Sequence, residues 1–137
     1  MKDQEKPSGE YKTIQVKKSP DPKAASVMLI YTGGTLGMVF EESAQTLVPF
    51  DFEQILSQIP EIDKFNLNLT VISFHQLIDS ANVQPSHWIT MASLIEQHYD
   101  GYNGFVIIHG TDTMAYSASA LSYLLEDLNK PVIFTGA

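Results

Sequence analysis

The chain has 137 residues, 44% of them hydrophobic and 10% aromatic, which is enough for one domain burying roughly two thirds of its unfolded surface. It contains no cysteine, so disulfide frameworks, thiolate zinc sites and cysteine nucleophiles are excluded. Six of the eight lysines precede Ser26 and there is no arginine, which leaves two lysines against twelve acids and a body charge near −10. Such a body repels phosphates and lacks the guanidinium fork that reads nucleotide anions, so nucleic-acid binding is not expected.

Residues 1–25 are rich in Lys, Asp, Glu, Ser and Pro and read as a disordered or weakly ordered tail, with Thr13 to Val16 able to pair as a short edge strand. No apolar segment long enough for a signal sequence precedes Val27, and none approaches a membrane span, so a cytoplasmic location is expected. Val27 to Thr32 is predicted as the first buried strand, followed by the small-residue turn Thr32, Gly33, Gly34, Thr35. Asp51 with Gln54 makes a capping-box pattern, and Phe52, Ile55, Leu56 and Ile59 share a helical face that ends before Pro60. Leu67 to Phe74 is predicted as a strand and His75 to Gln84 as a loop. Pro85 suits a first helical turn, and Trp88, Ala92, Ile95 and Tyr99 form a core stripe ended by Asp100 and Gly101.

Phe105 to His109 is an apolar run without alternation, as a central parallel strand covered on both faces requires. Gly110 breaks it, Thr111, Asp112 and Thr113 follow, and helical spacing resumes from Met114 to about Leu128 before a last strand, Val132 to Thr135. Strands alternating with helices predict an α/β fold with a doubly wound parallel sheet and right-handed crossovers. In such sheets ligands bind at the strands' carboxyl ends, where both hydroxyl-bearing turns fall, so the two turns could face one pocket.

The turn Thr32 to Gly37 fits neither nucleotide fingerprint, because its glycines are wrongly spaced and no lysine follows them. His75, His87, His98 and His109 show no metal-ligand spacing, and no metal is expected. A threonine attacks a carbonyl only when a base or an oxyanion stabiliser activates it, and two threonines beside a carboxylate supply part of that. Each turn taken singly also reads as an ordinary strand-to-helix turn, with Asp112 or Thr111 capping the helix. It is the pair that suggests a site.

The sequences TGGT at Thr32 to Thr35, followed by Leu36, Gly37 and Met38, and HGTDTM at His109 to Met114 resemble the two active-site signatures of bacterial-type L-asparaginases. The likeness runs from about Val27 to Ala137, and AYSASALSYLLEDLNKPVIFTGA is more similar to the cytoplasmic type I branch than to the periplasmic type II branch. The resemblance implies that residues 26–137 are the first part of a flavodoxin-like N-terminal domain in an enzyme that hydrolyses L-asparagine to L-aspartate and ammonia without a cofactor, as a homotetramer. It implies Thr35 as nucleophile, and Thr111 and Asp112 as the second catalytic group, with Asp112 also holding the substrate's α-amino group. IDSAN would be the cradling loop, in which Asp79, Ser80 and Ala81 match the family's binding stretch and Ser80 addresses the α-carboxylate. A carboxylate pocket built of N–H and hydroxyl donors agrees with the absence of arginine.

The sequence departs from the family pattern in three places. Aligned on Pro49, it offers Leu47 where the family commonly has a hinge-loop tyrosine, and Ala81 stands where a polar residue is usual. The family's lysine that partners Thr111 and Asp112 would lie beyond Ala137, as would the C-terminal domain, so the chain reads as truncated, inactive alone and prone to associate through its last strand. Two other readings remain: the asparaginase-like subunit of a tRNA-dependent amidotransferase, and a catalytically dead binding or assembly module.

Overall fold

A computed structural model of the protein describes residues 11–35, 38–43, 45–49 and 59–136. Five strands form the main sheet: β1 (Tyr11–Lys17), β2 (Ala25–Gly33), β5 (Leu67–Ile78), β6 (Gly104–Ile108) and β7 (Val132–Thr135), in the order β1-β5-β2-β6-β7. β5, β2, β6 and β7 are parallel, and β1 adds an antiparallel edge. A separate hairpin joins β3 (Met38–Glu41) to β4 (Thr46–Pro49), with Phe40 opposite Leu47. The helices are α1 (Pro60–Lys64), α2 (Pro85–His98) and α3 (Met114–Leu124).

The order of the strands decides which face each helix covers. From β2 the chain steps one way to β5, then crosses back over β2 to β6 and continues to β7. Right-handed crossovers put α2 and α3 on one face and α1 on the other. Side chains agree, because Met28, Ile30, Ile72, Phe105 and Ile107 pack with Met91, Leu94 and Ile95 of α2 and Leu121 of α3. Their alternates Tyr31, Val71 and Ile108 pack on the opposite face with Val16, Leu29 and Ile62. Each fully buried aliphatic side chain in this core contributes about 1.5–3 kcal/mol. The stripe read from Trp88, Ala92, Ile95 and Tyr99 is centred slightly differently, since Met91, Leu94 and Ile95 are its fully buried members.

Three local differences from the sequence reading have physical causes. β1 runs seven residues, longer than Thr13 to Val16, because Tyr11 pairs with Phe74 at one end while the Lys17 ammonium at the other donates to the Ile62 and Phe65 carbonyls at 2.7 and 2.6 Å, a favourable cation at the end of α1. Residues 11–24 of the stretch read as a tail therefore lie in this strand and the turn after it, and Ala25 opens β2. Pro60 opens the short helix α1, which the sequence reading did not name, standing in the first turn where its missing N–H costs nothing; residues 51–58, with the Asp51 capping-box pattern and the helical face read before Pro60, lie outside the described residues. His75 to Ile78, read as loop, continue β5, because Gly33 pairs with Ile78 and extends the ladder to the sheet's end.

Candidate functional site

The parallel strands place three turns at one end of the sheet. The strand order reverses at β2, so the crevice between the ends of β2 and β6 is the place where this topology holds ligands. Thr32, 2% exposed, donates its hydroxyl to the Ile108 carbonyl at 2.9 Å and ties the two strand ends together. Gly33 follows at φ +150°, where a Cβ would lie 2.2 Å from the Ile78 carbonyl oxygen, so only glycine lets β2 pass β5 this closely. The exposed Thr35 stands just beyond, its carbonyl accepting from the Met38 N–H at 3.0 Å.

The β5 turn reaches the same place. Asp79 accepts the Ala81 N–H at 3.0 Å and starts a 3-10 turn, Ser80–Asn82, that buries Ser80 to 6% exposure. From β6, Gly110 comes so near that an added Cβ would lie 2.5 Å from the Ser80 hydroxyl oxygen and 3.5 Å from the Gly34 Cα. Gly34 directly after β2, Ser80 two residues past β5 and Gly110 two residues past β6 thus meet, with Thr35 and Thr111 the next residues along their turns.

Asp112 and Thr111 are exposed, and neither caps α3. The N-cap position is Thr113, whose hydroxyl donates to the Ser80 carbonyl at 2.6 Å instead of to its own helix. The ordinary capping explanation of the second turn therefore does not describe it, and Thr113 pins the β5 turn to the start of α3. Asp79 and Ala81 are exposed, and the Asp79 carboxylate holds the backbone of its own turn. Asp79 and Asn82 also line a neighbouring cavity of about 590 Å³ with His75, His87 and Thr90. Leu36 and Gly37 of the first signature lie outside the described residues, and β4 carries Leu47.

Sequence reading passed over two features. Thr113 looked like one more turn hydroxyl, and its bond to Ser80 spans 33 residues that no local pattern reveals. His109 and Ser117 are almost fully buried and hydrogen-bonded to each other at 2.9 Å, with Trp88 donating to Ser117 at 2.8 Å. Buried polar groups beside a site were not separable from satisfied core residues by spacing alone. Among the described residues no cluster of three or more His, Asp or Glu side chains is arranged for a metal, and no helix is long and apolar enough to cross a membrane.

Comparison with known proteins agrees with this geometry. The family profile "Asparaginase, N-terminal" matches residues 26–137. The chain is 45% identical over 113 residues to L-asparaginase 1 of Escherichia coli (strain K12), covering 82% of this chain and 33% of the relative. Among solved structures it is similar to L-asparaginase I from Vibrio cholerae O1 biovar eltor str. N16961, with 41% identity and a TM-score of 0.73 over 82% of this chain and 34% of that one. It is also similar to a probable cytoplasmic L-asparaginase from Campylobacter jejuni, with 29% identity and a TM-score of 0.69 over 82% and 35%. The chain spans about a third of the length of these relatives. With the profile covering its whole sheet from β2 onward and the two signatures meeting at one strand-end crevice, the chain belongs to the asparaginase family of amidohydrolases, matching its N-terminal domain and resembling the type I enzymes.

Proposed function

We propose that this crevice binds L-asparagine and hydrolyses its side-chain amide in a protein of the relatives' full length. The Thr35 hydroxyl attacks the carboxamide carbon, ammonia leaves, and water releases L-aspartate from the threonine ester. Thr111 and Asp112 form the second catalytic group, and Asp112 also meets the substrate's α-ammonium. Ser80 and neighbouring backbone groups hold the α-carboxylate. The observation that carries this reading is the meeting of Gly34, Ser80 and Gly110, which sets the two threonine turns and the binding turn around one point.

A threonine needs a base or a cation-polarised partner before it attacks. Of the two lysines beyond Ser26, Lys64 ends α1 just before the amino end of β5, and Lys130 is committed to the Tyr99 carbonyl and ring beside the amino end of β7, so both stand at the opposite end of the sheet from the crevice. Residues 1–137 alone are therefore proposed to be inactive, with a lysine from outside this segment completing the group at Thr111 and Asp112. A homotetramer in the cytoplasm, without a cofactor, completes the proposal. Its test is ammonia release from L-asparagine by residues 1–137 and by the same chain expressed with any coding sequence that follows Ala137. Turnover by the longer protein alone is expected. Turnover confined to tRNA-dependent amidation would favour an amidotransferase subunit, and no amide chemistry from either protein would favour a binding module.

A further inference from the structure

Gly110 immediately precedes Thr111 and Asp112, and a glycine is the most freely rotating joint a chain can have. What holds that joint is a buried chain of hydrogen bonds from α2 and α3, the two helices on one face of the sheet. His109 Nδ1 lies 2.6 Å from the Gly110 carbonyl oxygen. A carbonyl can only accept, so Nδ1 carries the proton. In the tautomer that this bond selects, Nε2 accepts at 2.9 Å from the Ser117 hydroxyl. The Ser117 oxygen in turn accepts the Trp88 Nε1–H at 2.8 Å. Every bond in the series from Trp88 through Ser117 and His109 to the Gly110 carbonyl has one direction. Turning the ring over would set carbon atoms where the two nitrogens now bond, and the Phe134 ring stands edge-on to it with centroids 5.9 Å apart.

We propose that His109 is a positioning residue for the Thr111–Asp112 pair, oriented by Ser117 and Trp88; this rests on the asparaginase reading. By holding the Gly110 carbonyl toward the buried ring, His109 fixes the plane of the Gly110–Thr111 peptide. That peptide is trans, so the Thr111 N–H points the opposite way from the carbonyl, away from the ring. The relay also runs from α2 through α3 to the turn, so the packing of these helices sets the turn's orientation. A misplacement of about 1 Å in a reacting group costs on the order of a hundredfold in rate, whereas Ser80 and its neighbours still hold the α-carboxylate, so the lost contact of Asp112 with the α-ammonium moves KM less than kcat.

The test compares His109→Asn with His109→Gln in the chain expressed with any coding sequence that follows Ala137. Asparagine can place an amide N–H near the position of Nδ1 and keep the bond to Gly110. Glutamine can place its oxygen near Nε2 facing Ser117 but loses the donor to Gly110. His109→Gln is expected to lower kcat by about 10–100-fold with KM changed by less than about threefold, while His109→Asn retains most of kcat although it melts no higher. Equal kcat losses in two folded variants, following their melting temperatures, would overturn the assignment. If both variants fail to fold, Ser117→Ala carries the same test, since it keeps the ring and frees its orientation. A loss of kcat larger than any change in KM supports the proposal, and an unchanged kcat overturns it. No turnover by the unaltered protein would overturn the asparaginase reading and this assignment with it, whereas turnover with indifferent variants would overturn this assignment alone.

Discussion

Substituting Gly110 by alanine tests whether the strand-end turns form one packed cleft. The added Cβ would lie 2.5 Å from the Ser80 hydroxyl oxygen and 2.6 Å from the Ser80 Cβ, where uncrowded carbons sit at about 3.5–4.0 Å. Rotating the Ser80 hydroxyl removes only one of the two clashes. Its backbone is held by the Thr113 hydroxyl at 2.6 Å and by the Asn82 N–H to Asp79 carbonyl bond at 2.8 Å across the same turn. Relief therefore requires a backbone shift on the order of 1 Å, and overpacking of this kind costs about 1–3 kcal/mol. For a chain of this size that lowers the thermal midpoint by roughly 4–12 °C. Ser80→Gly deletes both clashing atoms, so in that background Gly110→Ala is expected to cost less than about 0.5 kcal/mol, giving a coupling of about 0.5–3 kcal/mol. Thermal and denaturant unfolding of the four proteins measures the cycle. Equal costs of Gly110→Ala with and without Ser80 would refute the close approach of the β5 and β6 turns.

The relay predicts its own coupling. Ser117→Ala leaves Trp88 Nε1 and His109 Nε2 without their partner and should destabilise by about 2–4 kcal/mol, while Trp88→Phe in the Ser117→Ala background should cost less than in the unaltered chain, which unfolding of the double mutant checks. Asp21 predicts a pH dependence: the Lys23 N–H and then the Asn66 side chain hold its carboxyl below the ordinary aspartate value, against a smaller opposing effect of burial. Its contribution is fully present above the unfolded aspartate range and is lost as the pH falls through the depressed folded value, so acid unfolding of Asp21→Asn should show a shallower loss over that window than the unaltered chain.

The order and type of the later elements were legible because apolar runs at Val27 and Phe105 lack alternation while the stripe at Trp88 repeats every three to four residues. The doubly wound sheet followed from that alternation. The helix that Pro60 opens was not named from sequence, because a proline ends one helix as readily as it begins another, and five residues carry too little periodicity to show which. His75 to Ile78 carry polar and apolar residues in equal number, so only their pairing beside Gly33 makes them a strand. At the site, the strand-end positions of Thr35, Thr111 and Asp112 could be read from the glycines that punctuate them. The bond from Thr113 to Ser80 and the series from Trp88 to Gly110 could not, because they join residues that only the folded sheet brings together.

The catalytic proposal is tested most directly by ammonia release from L-asparagine in the chain expressed with any coding sequence that follows Ala137, comparing the unaltered protein with Thr35→Ala. Thr35 is exposed beyond the end of β2, so its hydroxyl is not needed for the core, and circular dichroism should show the fold unchanged. The expected result is turnover by the unaltered protein and a loss of roughly a thousandfold or more in the variant, because a methyl group cannot form the ester. Near-normal turnover by a folded Thr35→Ala protein would contradict the assignment of Thr35 as nucleophile and move that role to Thr111.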